Sequence, residues 1–130
     1  SSTYKTNPLH NRNQPYFFNK VIEVSTAFNP HELLDEIKNI EFIMGRNLDN
    51  SHNFPRVIDI DILVVDDLNI NSNELIVPHP RICERRFVLE PWSEIAPSYI
   101  IVNKNMTIKQ LYNKYLNNKF KNQKVELINN

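Results

Sequence analysis

The stretch RVIDIDIL, residues 56–63, sets Asp59 and Asp61 two residues apart among Val, Ile and Leu. In an extended chain successive side chains alternate faces, so the two carboxylates share one face and Ile58, Ile60 and Ile62 share the other. Their Cα atoms stand ~6.5–7 Å apart. Two accounts fit this pattern. One is an amphipathic strand whose acidic face is simply solvated. The other is a pair of hard oxygen donors for a divalent cation. Aspartate is poorly suited to strands, and neighbouring like charges repel unless something neutralises them. Magnesium is typically held by one or two carboxylates together with substrate phosphates. Arg56, held after Pro55, adds a cation three residues ahead of the first aspartate.

The rest of the composition narrows the chemistry. Gly45 is the single glycine in 130 residues. Neither a GxxxxGK[ST] phosphate loop nor a GxGxxG turn can be written here, so a nucleotide must be met by side chains and metal. Cys83 is the single cysteine, which excludes a disulfide framework and any multi-cysteine zinc site. Fifteen basic residues balance fifteen acidic ones, so no global field draws nucleic acid or membrane, and neither is expected as a partner. Without a signal-peptide pattern or an apolar run of spanning length, a cytoplasmic location is expected. With 41% hydrophobic residues the chain has enough for one core. It begins SSTYKT without Met, which reads as a fragment or a processed product.

The elements that must position the aspartates follow from periodicity. Residues 1–6 read as a short strand, 9–15 as a polar loop, and 17–26 as a second strand. Asn29, Pro30 and Glu32 open a helix with an Asn-x-x-Glu capping box and proline at its first position. Leu33, Leu34, Ile37, Ile40 and Met44 form its apolar stripe, and Gly45 stops it. Glu41 falls on the same spacing, an odd place for a carboxylate. A polar loop spans 46–55, a strand 57–65, a turn and edge hairpin 66–74, and IVPHPR a proline-locked corner. RRFVLEPWSEIAP (85–97) reads as mixed helical turns. Thr107 opens the last helix with a Thr-x-x-Gln box, and Ile108, Leu111, Tyr112, Tyr115 and Leu116 line one face. This order predicts α+β with a mostly antiparallel sheet. Residues 119–130 read as a polar tail or linker.

Six blocks stand in order along the chain: YKTNPL (4–9), QPYFFN (14–19), IEFIMGR (40–46), FPRVIDIDIL (54–63), VPHPR (77–81) and RRFVLEPWSEIAP (85–97). The set resembles 6-hydroxymethyl-7,8-dihydropterin pyrophosphokinase (HPPK), a folate-pathway family, over residues 1 to about 97, and the last helix fits the family's C-terminal end. The resemblance implies a pyrophosphokinase domain over 1–118. It also implies a ferredoxin-like antiparallel sheet flanked by helices, and diphosphate transfer from MgATP to the dihydropterin's hydroxymethyl group with release of AMP. Asp59 and Asp61 match the pair that holds two magnesium ions, a role that suits chemistry resting on positioning and charge neutralisation. Arg56 and Arg46 match basic residues serving the transferring diphosphate and the loop that covers the site. Glu41, Ile62, His79 and Arg85 match ATP contacts. Thr6, Leu9, Phe17, Asn19 and Phe87 match pterin contacts, the two aromatics sandwiching the ring and Asn19 bonding its edge. Read without the resemblance, Phe17 and Phe87 are ordinary core residues and the arginines surface charges.

The chain also departs from the family pattern. The family's opening strand, with a Gly-Ser-Asn motif, and its first helix are absent from this sequence. That strand lies between those matching 17–26 and 57–65, so the chain alone is expected to be poorly stable or inactive unless the segment is supplied. Leu48 stands where a second arginine is common, Asn53-Phe54 where Trp-Gly is common, and His10 where glycine is usual. A fused or associated dihydropteroate synthase is the expected partner, with KVELINN as the linker. The alternatives are a truncated or non-catalytic pyrophosphokinase-like domain, or an RNA-binding α+β module that stacks bases on sheet aromatics.

Overall fold

A computed structural model describes residues 1–6, 16–45 and 57–128. In chain order its elements are strands β1 (Tyr4–Thr6) and β2 (Phe17–Asn19), helix α1 (Pro30–Ile43), strands β3 (Ile70–Asn71) and β4 (Ile76–Val77), a 3₁₀ turn at Ile82–Glu84, helices α2 (Arg86–Ile95) and α3 (Ile108–Leu116), and strand β5 (Val125–Leu127). The fold is α+β, and every strand pair among these elements is antiparallel. Two compact units divide the chain: Ser1–Val24 with Pro80–Asn130, and Ser25–His79.

The first unit is a three-stranded sheet in the order β2-β1-β5 together with α2 and α3. Its core is Tyr4, Val21, Ile82, Val88, Leu89, Trp92, Ile101, Ile108, Leu111 and Phe120, all buried. The spacing of Val88, Leu89 and Trp92 puts them on one side of α2, and the Trp92 ring stacks on Tyr99 with centroids 5.8 Å apart. Thr107 closes both arms of the expected capping box: its Oγ1 accepts from Gln110 N at 3.1 Å, and Gln110 Oε1 accepts from Thr107 N at 2.9 Å. Ile108 and Leu111 then face inward.

The stretch read as a polar tail contributes to this unit through its described residues. Phe120 is fully buried and meets the Tyr115 ring edge-on at 5.9 Å. β5 adds to the free side of β1 with Tyr4 opposite Leu127 and Thr6 opposite Val125. One buried aromatic and a satisfied ladder outweigh the polar composition around them.

The second unit holds α1, the β3–β4 hairpin and the stretch that carries the aspartates. Asn29 Oδ1 accepts from Glu32 N at 2.9 Å, as its cap position requires. Past the last turn Gly45 sits at φ +119, where an L side chain is strained, and a Cβ there would also lie 3.3 Å from Val57 Cγ2. Two expected strands are shorter than predicted. Of 17–26 only Phe17–Asn19 is strand, and no strand is found over 57–65. Strand assignment needs a ladder, and alternating apolar residues cannot supply one alone. The stripe of α1 is likewise only half-buried at Leu33, Leu34 and Ile37 and exposed at Ile40 and Met44. Among the described residues no helix is long and apolar enough to cross a membrane.

Candidate functional site

In the second unit, the acidic pair stands as the alternation requires. Asp59 and Asp61 are exposed, while Ile58, Ile60 and Ile62 are half-buried. Between the two aspartates, the backbone N–H of Ile60 donates to Glu41 Oε2 at 2.9 Å. Glu41 is only 5% exposed. A carboxylate on the inner side of α1 therefore serves as the acceptor that a ladder partner would otherwise provide. His79, half-buried after the cis Val77–Pro78 bond, ties the proline corner to the same stretch by donating its N–H to Leu63 O at 2.8 Å. Glu41 from α1 and His79 from the proline corner thus each brace the stretch that carries Asp59, Asp61 and Ile62, at Ile60 and Leu63.

Among the described residues, no group of three or more His, Cys, Asp or Glu is placed to hold a metal. The donor set fits magnesium nonetheless. Two exposed carboxylates on one face supply hard oxygens, and that ion ordinarily keeps its remaining positions for water and phosphate.

In the first unit, β1 and β2 pair with Thr6 opposite Phe17 and Tyr4 opposite Asn19. Period-two alternation puts these four side chains on one face. Asn19 Nδ2 donates to Thr6 Oγ1 at 3.0 Å, which fixes the amide plane and leaves Asn19 with a donor and an acceptor for a planar ring edge. Phe17 is exposed, at 46% of its full residue surface.

Arg85 and Phe87 flank the start of α2, and the guanidinium carbon lies 5.6 Å from the Phe87 ring centre, within cation–π range. Arg86, between them, is tied down. Its N–H donates to Gln123 Oε1 at 2.9 Å, its Nη1 to Gln123 O at 2.9 Å, and its Nη2 to Glu90 Oε1 at 3.1 Å. The Tyr112 hydroxyl donates to the same Glu90 oxygen. Burial, and then that bond, push the Tyr112 hydroxyl above its ordinary value. At the far end of α2, Glu94 accepts from Ser2 N at 2.7 Å, Ser2 Oγ at 2.8 Å and the Tyr4 hydroxyl at 2.5 Å. The bond from Tyr4, then those from Ser2, hold its carboxyl below the ordinary range. Burial first, and then Glu94, push the Tyr4 hydroxyl up.

Among the sequence-predicted site residues, Thr6, Phe17, Asn19, Arg85 and Phe87 lie in the first unit, and Glu41, Asp59, Asp61, Ile62 and His79 in the second. Leu9, Arg46 and Arg56 lie outside the described residues, as do His10, Leu48, Asn53 and Phe54. Sequence reasoning did not single out Arg86, Glu90, Glu94 or Gln123. The alternation of Val125 and Leu127 after Phe120 was the available sign that Gln123 sits in ordered structure.

A family model for 7,8-dihydro-6-hydroxymethylpterin-pyrophosphokinase (HPPK) matches residues 1–97. The chain is 44% identical over 96 residues to the 2-amino-4-hydroxy-6-hydroxymethyldihydropteridine pyrophosphokinase of Bacillus subtilis, covering 74% of this chain and 57% of that protein. It is 43% identical over 111 residues to the folic acid synthesis protein FOL1 of Dictyostelium discoideum, covering 85% of this chain and 17% of that protein. It is 46% identical over 103 residues to a folate synthesis bifunctional protein of Arabidopsis thaliana, covering 79% and 21%. The matched region thus spans less than two thirds of each of these relatives.

Proposed function

Because the chain belongs to the 7,8-dihydro-6-hydroxymethylpterin-pyrophosphokinase family, we propose that it serves diphosphate transfer from ATP to the hydroxymethyl group of 6-hydroxymethyl-7,8-dihydropterin. The hydroxyl oxygen bonds to the β-phosphorus, the bond from that phosphorus to the bridging oxygen breaks, AMP leaves, and the hydroxyl proton passes to solvent. The observation that carries this reading is the acidic pair: two exposed aspartates on one face, with the amide between them held by the buried Glu41.

Asp59 and Asp61 would hold magnesium. When bound, it neutralises phosphate charge and polarises the attacking hydroxyl. Arg85 and His79 serve ATP's phosphates, with Arg56 and Arg46 as further cations and Ile62 against the nucleotide. Glu41 acts on this side by bracing the aspartate-bearing segment. Phe17 and Phe87 take the faces of the pterin, Asn19 its edge, Thr6 sets the Asn19 amide, and Leu9 adds a first-loop contact. Holding the two substrates aligned supplies most of what phosphoryl chemistry asks of a protein.

A cytoplasmic setting and a fused or associated dihydropteroate synthase complete the proposal. The bifunctional name of the Arabidopsis relative supports the latter. The test is AMP release from MgATP with and without hydroxymethyldihydropterin, on residues 1–130 and on the full natural polypeptide. Pterin-dependent AMP supports the enzyme. AMP release indifferent to pterin, or RNA retention without turnover, would overturn it.

A further inference from the structure

The 3₁₀ turn ends at Glu84 and α2 begins at Arg86, so Arg85 occupies the cap position between them, and its side chain makes no capping bond. The first N–H groups of a helix have no partner within the helix. Here the side-chain amide of Gln123 fills that gap from a distant part of the chain. Its Oε1 accepts from Arg86 N at 2.9 Å, and its Nε2 donates to Glu84 O at 2.9 Å. One amide plane therefore straddles Arg85, bonded to the residue on each side. Arg86 Nη1 returns a bond to Gln123 O at 2.9 Å, so the link is reciprocal.

Gln123 is itself fixed on both flanks. Phe120 is fully buried three residues before it, its own N–H donates to Phe120 O at 3.0 Å, and β5 pairs with β1 from Val125 onward. The amide is thus mounted on core and sheet, and the backbone it grips carries Arg85 and Phe87.

We propose that Gln123 is a positioning residue that holds the Glu84–Arg86 backbone, so that the Arg85 guanidinium meets a nucleotide phosphate while the Phe87 ring stacks on the pterin. The inference rests on the reading of those two side chains given above. A Gln123 that merely stabilised the fold would, when removed, lower the folded fraction and with it apparent kcat, leaving KM unmoved. A positioning Gln123 acts on ligand geometry and moves KM for both substrates together.

The test compares wild type, Gln123→Ala and Gln123→Glu in the full natural polypeptide. Pterin-dependent AMP release gives kcat and both KM values, and amide hydrogen exchange is read at Arg86. Gln123→Glu keeps an oxygen for Arg86 N and loses the donor to Glu84 O. The expected result for Gln123→Ala is a rise of about tenfold in KM for both MgATP and the pterin, with faster exchange at Arg86. Gln123→Glu should recover part of each. Unchanged KM values in Gln123→Ala, with wild type active, would overturn the proposal and leave the enzymatic reading standing. A wild type without pterin-dependent AMP release removes the enzymatic reading and the ligand role of Gln123 with it. The exchange rate at Arg86 then decides whether Gln123 grips the turn at all.

Discussion

Glu41 Oε2 accepts the backbone N–H of Ile60 at 2.9 Å, midway between Asp59 and Asp61. The two aspartates belong to a stretch assigned to no strand, so this bond does locally what a neighbouring strand does elsewhere. Glu41→Ala leaves the Ile60 amide short of its acceptor, which costs about 1–3 kcal/mol. Glu41→Gln retains an oxygen at the same reach and should recover most of it. Thermal unfolding of the three proteins checks this. Equal midpoints for Ala and Gln would mean that charge, and not the acceptor, is what Glu41 contributes.

Asp59→Asn and Asp61→Asn should behave oppositely to Glu41→Ala. Both side chains are exposed, so the unfolding free energy should fall by less than in Glu41→Ala. Turnover should fall by about 100-fold or more, since metal-assisted charge neutralisation contributes several kcal/mol and each 1.36 kcal/mol is tenfold. Raising magnesium should recover part of the loss in either single variant and little in the double. Near-normal AMP release from either asparagine variant would remove the metal role from the pair.

Where the sequence was legible, local chemistry was enough. The Asn29 and Thr107 caps, the Gly45 stop and the in-out alternation of 58–62 depend on a few neighbouring residues, and each stands where its residue types require. Non-local partners decided the rest. Nothing in IEFIMGR says that Glu41 meets the amide of Ile60, nineteen residues on. Nothing in KNQKVEL says that Gln123 reaches back to Arg86 across thirty-seven residues. The tail reading of 119–130 followed composition, whereas Phe120 and β5 follow from a vacant β1 edge that only the fold reveals. The shortened strands have the same origin, because a ladder is a property of two segments.

The Tyr4–Glu94 bond makes stability depend on pH at both ends. Glu94 titrates below its ordinary 4.5, chiefly through the Tyr4 hydroxyl. A carboxyl depressed in the folded state contributes stability that is fully present above its unfolded value and lost as pH falls through the folded one. Tyr4 titrates above its ordinary 10.0, chiefly through burial. Its neutral form contributes stability that is full below 10.0 and lost as pH rises through the folded value. Tyr4→Phe should therefore flatten the denaturant midpoint against pH on both limbs. The acid effect should be the smaller, because Glu94 is exposed. An acid limb identical to wild type would show that Ser2 alone sets the Glu94 carboxyl.

If Asn19 meets the pterin edge as proposed, a change at Thr6 should affect one substrate and spare the other. The Thr6 hydroxyl accepts from Asn19 Nδ2 at 3.0 Å, and the side chain is 8% exposed, so it orients the amide from beneath. Thr6→Val keeps the shape and removes the acceptor. The Asn19 amide is then free to turn, and a ring edge needing a donor and an acceptor in fixed order loses one of them. KM for the pterin should rise by about tenfold. KM for MgATP should stay at its wild-type value, which distinguishes this variant from Gln123→Ala. Thr6→Ser restores the oxygen and should restore pterin binding. Equal rises in both KM values would assign Thr6 to packing of the β1–β2 pair. A pterin KM untouched by Thr6→Val would remove Asn19 from the ring edge.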